Sequence, residues 1–119
     1  MADESFRLIV RQGIKQGMLE KFKELSTAYT EGTQANEPAT LGYEWFISED
    51  GSSCYLNEFY GSSKAFLLHF ESLGPKLGAM LEISPLEEMI VLGDPSLKVK
   101  EMLGELGAKF YTPHAGFSR

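Results

Sequence analysis

The sequence has little of what several large functional classes require. It contains one cysteine, Cys54, and two histidines in 119 residues, which excludes an internal disulfide and leaves no Cys and His cluster with metal-ligand spacing. We interpret Cys54 as an ordinary strand residue. Lysine and arginine number 11 against 17 aspartates and glutamates, and no basic stripe is present. Because nucleic acids are bound through clustered cations, the sequence predicts no nucleic-acid partner.

Long apolar runs are also missing. Uncharged stretches such as residues 51–57 and 65–70 are short, whereas a membrane-spanning helix needs about 20 apolar residues. The N-terminal residues lack the basic-then-apolar order of a secretory signal. We therefore expect a cytoplasmic protein without a membrane partner. The glycine loops of nucleotide-binding proteins and the motifs of serine hydrolases and zinc proteases are absent too, which disfavours those chemistries.

The composition is typical of a folded globular domain. Apolar residues make up 43% and charged residues 24% of the chain, close to the averages for soluble proteins, and the length suits one core. We predict a single domain over residues 1–119. Its core spans about 5–93, and a C-terminal helix and tail follow over 94–119.

Four segments have the composition of strands, being rich in β-branched and aromatic residues. The second and third are joined by a turn that contains Asp50-Gly51, which is typical of a β-hairpin. The predicted strands span residues 5–12, 41–48, 54–60 and 84–93.

Three segments show the apolar spacing of amphipathic helices. The first starts at Met18 and stops before Pro38, since a proline disfavours helical angles in the residue before it. The second is capped by Ser62 or Ser63, and we expect Gly74-Pro75 to interrupt it.

The third predicted helix spans residues 95–106, with Asp94 as its N-cap and Pro95 at its first position. The tail, residues 108–119, carries three aromatic residues and is expected to dock on its own subunit or on a partner. The element order βαββαβ is typical of a ferredoxin-like split βαβ antiparallel sheet, an α+β fold.

Such a sheet carries helices on one face and leaves the other face open. Exposed apolar patches of that size usually mark an interface. We therefore expect a homodimer in which two open faces meet and enclose a pocket, forming a dimeric α+β barrel.

Residues 39–70 resemble the antibiotic-biosynthesis monooxygenase-like family of dimeric α+β barrels. The resemblance is carried by G-Y-E at 42–44, N-E-F-Y at 57–60 and A-F-x-x-H at 65–69. It implies cofactor-free oxygenation, in which the pocket holds a phenol or quinol whose enolate reduces dioxygen while the protein orients it and helps to move a proton.

The resemblance also assigns roles to positions of this chain. Tyr60 stands where many members have a tryptophan, Phe66 where some anthrone oxidisers have a tyrosine, and Met80 near an arginine that some members use. The phenol and the guanidinium are therefore absent here. Haem-degrading relatives carry their ligating histidine at about residues 77–79, where this chain has Leu, Gly and Ala. The resemblance thus implies no haem, and we expect no cofactor and no metal.

His69, Glu44 and Glu58 are the candidate catalytic residues. The imidazole of His69 changes protonation near neutral pH and suits acid–base work, but His69 borders the apolar stripe of its helix and could equally form a structural hydrogen bond. Glu44 and Glu58 lie on the two hairpin strands. A carboxylate that faces a closed pocket has a raised pKa and can act as a base, whereas on the other face it is a solvated charge, and the strand parity leaves both readings open.

The candidate pocket residues are mostly aromatic. Aromatic side chains usually fill cores and interfaces, and those that line a cavity suit a flat, apolar, ring-bearing ligand. The candidates are Trp45, Asn57, Tyr60, Phe66 and Phe70. The predicted function is a cofactor-independent monooxygenase for a small aromatic or quinol-type substrate. The alternative is a non-catalytic dimeric barrel that binds a small hydrophobic metabolite.

Overall fold

Five strands and three helices follow one another in the order βαββαβαβ along residues 5–119, the part of the chain that the computed structural model describes. The first four residues of the predicted domain lie outside it. The strands are β1 (Phe6–Gly13), β2 (Thr40–Ile47), β3 (Ser53–Tyr60), β4 (Leu86–Gly93) and β5 (Lys109–Tyr111), and the helices are α1 (Leu19–Asn36), α2 (Ser63–Ile83) and α3 (Leu97–Glu105).

The strands form one sheet in the order β2-β3-β1-β4-β5. The first three pairings are antiparallel, and β5 pairs with β4 in parallel. The β2–β3 register shifts between Thr40 and Gly42, and the β1–β4 register shifts between Arg11 and Gln12. The predicted ferredoxin-like α+β fold is confirmed, and β5 is an addition that the sequence pattern did not predict.

Alternate residues of the sheet face the helices. Leu8, Val10, Leu56 and Val91 are buried in a core that also contains residues of α2 and α3, and a second cluster around Phe22 joins α1 to the sheet. Because side chains alternate along a strand, the residues between these point to the uncovered face. The sheet therefore has one packed face and one open face.

Helix α2 runs through Pro75 without a break, so the predicted interruption at Gly74-Pro75 is wrong. A proline inside a helix removes one backbone hydrogen bond and costs about 3 kcal/mol or more. Pro75 lies on the exposed side of α2, while Phe66 and Met80 are buried on its other side. Packing against the sheet on both sides of the proline offsets its cost.

The start of α3 also differs from the prediction. Its N-cap is Ser96, whose Oγ accepts a hydrogen bond from the backbone N–H of Val99 at 3.4 Å, and not Asp94. Asp94 instead pairs with the Lys100 ammonium at 2.6 Å. Helix α2 begins as predicted, because Ser62 accepts a hydrogen bond from the N–H of Ala65.

The beginning of the tail, β5, pairs with β4 of its own chain. This agrees with the expectation that the tail docks on its own subunit. Within residues 5–119 no helix combines the length and apolar character that crossing a membrane requires.

Candidate functional site

A cavity of about 110 Å³ lies between the covered face of the sheet and α2 and opens to the surface at one end. Its floor includes Leu8, Val10 and Leu56 of the sheet, and its roof includes Phe66 and Phe70 of α2. The sequence predicted a pocket between two copies. The cavity described here is formed by a single chain, on the face that the helices cover, and a pocket between two copies stays a prediction.

One row of the sheet brings polar groups to one end of the cavity. Tyr43 of β2 pairs with Glu58 of β3, and Glu58 pairs with Leu8 of β1. Residues that pair directly across antiparallel strands point to the same face. Tyr43 and Glu58 therefore share the wall of the cavity, opposite the middle of α2.

His69 of α2 reaches this row from above. Its side chain is 4% exposed, and its Nδ1 lies 2.7 Å from Oε1 of Glu37, which follows the C-terminus of α1. A carboxylate can only accept, so Nδ1–H is the donor. The same Glu37 oxygen accepts a hydrogen bond from the Thr40 hydroxyl at 3.1 Å, which holds the carboxylate in place. In the neutral imidazole this leaves the lone pair on Nε2.

The other ring nitrogen is aimed at Glu58. Nε2 of His69 lies 3.8 Å from Oε1 of Glu58, too far for a direct hydrogen bond. Buried Nε2 and the buried hydroxyl of Tyr43 have no hydrogen-bond partner among residues 5–119. Buried polar atoms normally have partners. Two unpaired atoms at one end of a cavity are therefore a reason to expect a polar group of a ligand there.

Glu58 is surrounded by apolar and aromatic side chains. Burial raises the pKa of Glu58 to about 7, although the hydrogen bond that it accepts from the Tyr60 hydroxyl works in the opposite direction. Burial also raises the pKa of Tyr43 and of Tyr60 well above the usual value, and the Glu58 charge adds to both shifts. Near neutral pH Glu58 is therefore divided between its acid and carboxylate forms, while both phenols stay protonated.

These groups form an acid–base site with two different members. His69, held by Glu37 through Nδ1, aims its other ring nitrogen, Nε2, at Glu58. Glu58, held by Tyr60, can present a proton or accept one. Titratable groups with different environments on one apolar cavity are the usual arrangement for moving protons to and from a substrate.

Three of the predicted pocket residues line the cavity, namely Trp45, Phe66 and Phe70. The indole Nε1 of Trp45 donates to the Thr30 hydroxyl at 3.0 Å, which fixes the ring beside α1. Tyr60 is completely buried behind Glu58 and reaches the cavity through that carboxyl group.

Glu44 and Asn57 are not brought to the cavity. Both lie on the opposite face of the sheet, beside a groove that Arg7 and Phe59 also line. Glu44 follows Tyr43 by one residue, and Asn57 precedes Glu58 by one, so strand alternation turns both away from the helices. Of the two glutamates, only Glu58 is buried.

Sequence reasoning missed Glu37 and Tyr43. Glu37 precedes Pro38 in a polar segment, which is typical of a helix end and carries no chemical signal. Tyr43 had a usable signal, because it alternates with Trp45 and so shares its face. Within residues 5–119 no group of three or more His, Cys, Asp or Glu side chains is placed to hold a metal ion.

Neither the protein-family models nor the curated proteins give a match to this sequence. Solved structures do match. MupZ from Pseudomonas fluorescens aligns over 98% of this chain and 96% of its own, with 20% identity and a TM-score of 0.87. A proposed antibiotic biosynthesis monooxygenase from Nitrosomonas europaea aligns over 82% of this chain and 94% of its own, with 20% identity and a TM-score of 0.64.

A further structure, of a proposed antibiotic biosynthesis monooxygenase from Caulobacter crescentus, aligns over 75% of this chain and 86% of its own, with 16% identity and a TM-score of 0.65. At such identities the likeness concerns the fold and not the chemistry. The chain has the antibiotic biosynthesis monooxygenase-like fold, as the resemblance implied.

Proposed function

We propose that the protein is an acid–base enzyme that acts on a small, largely apolar, ring-bearing molecule in the cavity beneath α2. The observation that carries this proposal is the unpaired Nε2 of His69, which is aimed at Glu58 while Glu37 holds the other ring nitrogen. A merely structural histidine is expected to have both nitrogens satisfied when buried.

The proposed reaction is cofactor-independent oxygenation of a phenol or quinol. His69 removes the hydroxyl proton, and the resulting anion gives electrons to dioxygen without a bound cofactor. One oxygen atom forms a bond to a ring carbon, which loses its hydrogen, and the other leaves as water, so that the phenol becomes a quinone. The dry walls of the cavity strengthen every charge interaction made there. The Tyr43 hydroxyl, unpaired among the described residues, donates to the oxygen that becomes negative, as an oxyanion-stabilising group does.

Cavity size favours a small substrate. An engineered apolar cavity of roughly 150 Å³ binds benzene, and the cavity here measures about 110 Å³. The cavity therefore holds at most one ring. Leu81, Leu86 and Leu106 line the cavity and are exposed, so they form its mouth, where any larger part of the substrate would lie.

A second candidate is a rearrangement that needs no dioxygen, such as an isomerisation. The placing of two titratable groups side by side favours it, because Glu58, with a pKa of about 7, lies 3.8 Å from Nε2 of His69. Oxygenation needs mainly the base, whereas an isomerisation removes one proton and adds another, which uses both groups.

We also propose that two copies pair through the open face of the sheet. That face carries exposed Phe46, Tyr55 and Leu92, and exposed apolar patches commonly mark interfaces. The site lies on the other face, so pairing is expected to support the sheet and not to complete the cavity.

The test is oxygen uptake and product analysis with a panel of monocyclic hydroquinones, naphthohydroquinones and anthrones. Turnover is expected in air and to fall by roughly a hundredfold or more in His69→Gln, since general-base catalysis contributes about that much. Glu44→Gln is the matched control, because Glu44 lies on the opposite face and its loss should leave kcat/KM unchanged.

Other outcomes separate the alternatives. Conversion of a panel compound under nitrogen at the aerobic rate would favour the rearrangement. No turnover of any compound, together with equal binding of phenol by the unmodified protein and His69→Gln, would identify a non-catalytic binder and overturn the proposal.

A further inference from the structure

A second, polar cavity lies behind the acid–base site, in the groove between α1 and α2. It measures about 70 Å³ and is open to the surface, since several of its lining residues are exposed: Gly32, Asn36, Ser72 and Lys76. Buried Thr33 and the Glu37 carboxylate line its inner end. A polar space of this size admits water.

The groove and the apolar cavity share one wall. Tyr29 of α1 and Leu73 of α2 line both spaces. The Tyr29 hydroxyl donates to the carbonyl oxygen of Lys76 at 2.8 Å, which ties the two helices together at the wall. This contact lies between the apolar cavity and the polar groove.

One hydrogen bond crosses from one space to the other. His69 lines the apolar cavity and Glu37 lines the groove, and their 2.7 Å contact joins the two. The Glu37 side chain is 12% exposed, against 4% for His69. A carboxylate and an imidazole at this separation are within the reach that proton transfer requires.

We propose that the groove is a proton path between His69 and bulk solvent that bypasses the mouth of the cavity. When Nε2 takes a proton, the imidazolium releases its Nδ1 proton to Oε1 of Glu37, and the carboxyl group passes that proton to water in the groove. The reverse sequence restores the Nδ1 proton. Protons thus reach and leave His69 while a ligand fills the apolar cavity and keeps water out of it.

The use of this path in turnover rests on the proposed function, but the path itself is a property of the folded chain. It is tested without substrate, by measuring the exchange of the His69 Nδ1 proton with water in the ¹⁵N-labelled full-length protein by NMR. Glu37→Gln keeps a hydrogen-bond acceptor and loses the proton-accepting oxygen, so exchange is expected to slow by about tenfold or more.

A second variant blocks the groove without touching the pair. Gly32 lies in α1 with open space around the position of an added Cβ, so Gly32→Leu fills the groove and favours the helix. It should slow exchange in the same direction as Glu37→Gln. Gly78→Leu is the matched control, since Gly78 is a helical glycine with equally open surroundings outside both spaces, and exchange should be unchanged.

Leu106→Trp tests the rival route, because Leu106 lies at the mouth of the apolar cavity. The proposal expects no change in exchange from this variant. Slower exchange in Leu106→Trp with normal exchange in Gly32→Leu and Glu37→Gln would overturn the proton path and leave the oxygenase proposal standing. If no compound is turned over but exchange changes as expected in the variants, the oxygenase proposal is overturned and the proton path stands.

Discussion

At the scale of single residues, Glu58 makes the fold sensitive to pH. Its pKa rises from 4.5 to about 7 in the folded chain, chiefly through burial. Between these two values the unfolded chain releases the proton and the folded chain keeps it. The free energy of unfolding therefore falls as pH rises through this window, by about 3 kcal/mol in all if the shift is complete.

We predict that Glu58→Gln removes this fall, because an amide has no proton to release. Measured by urea unfolding from pH 4.5 to pH 8, the difference in stability between Glu58→Gln and the unmodified protein should shift in favour of the variant as pH rises. Glu44→Gln, on the exposed face, should follow the unmodified curve. Parallel curves for Glu58→Gln and the unmodified protein would show that Glu58 ionises normally.

The sequence was informative for residues whose type carries chemistry. It pointed to His69 and Glu58, and the structure places both on the cavity. It left Glu44 and Glu58 undecided, because a shift of one residue in register exchanges the two faces of a strand. It missed Glu37, whose contact with His69 joins residues 32 apart in the chain and depends on how α1 and α2 pack.

At the scale of elements, the end of β4 is fixed by a close approach to β1. Gly93 has φ +139°, and a Cβ there would lie 2.6 Å from Cβ of Phe6 and 2.9 Å from its Cα. Phe6 is buried beneath α2 and contacts the rings of Tyr60 and Phe66. A side chain added at Gly93 would therefore have to push β1 and β4 apart and displace Phe6 from that core.

We predict that Gly93→Ala lowers the free energy of unfolding by roughly 3 kcal/mol, through backbone strain and overpacking together. Gly17→Ala separates the two effects. Gly17 has φ +80° but nothing within 4 Å of an added Cβ, so its cost should be about 1 kcal/mol. Equal losses for the two variants in urea unfolding would remove the steric argument.

Local sequence patterns predicted the type of each helix and strand better than they predicted where each one ends. The hairpin turn at Asp50-Gly51 is confirmed, with Gly51 at φ +75°. The continuous α2 was not predictable from its sequence, because Gly74-Pro75 is a strong local signal for a break. The burial that outweighs this signal comes from strands far away in the chain.

At the scale of the whole molecule, the open sheet face is expected to mediate pairing. We predict that sedimentation velocity detects a concentration-dependent dimer, and that Phe46→Lys combined with Tyr55→Lys, two like charges at positions that pair across β2 and β3, shifts it to the monomer. Both side chains are exposed on the open face, and desolvating an unpaired charge at an interface is costly. Leu68→Lys, at an exposed position of α2, is the control and should leave the dimer intact.

A monomeric variant has a second use. Since a single chain forms the cavity, Phe46→Lys with Tyr55→Lys should still bind phenol. Loss of binding together with loss of the dimer would mean that a second copy shapes the cavity. A chain that stays monomeric at every concentration would contradict the predicted pairing and leave the cavity unaffected.

The outermost strands decide what kind of assembly the sheet permits. One edge strand of the sheet, β5, has only three residues. The other edge strand, β2, has a register shift between Thr40 and Gly42. A short or irregular edge strand pairs poorly with a strand of another chain. The edges of the sheet thus disfavour growth into extended ribbons, and the proposed pairing through the broad open face would give an assembly that ends at two molecules.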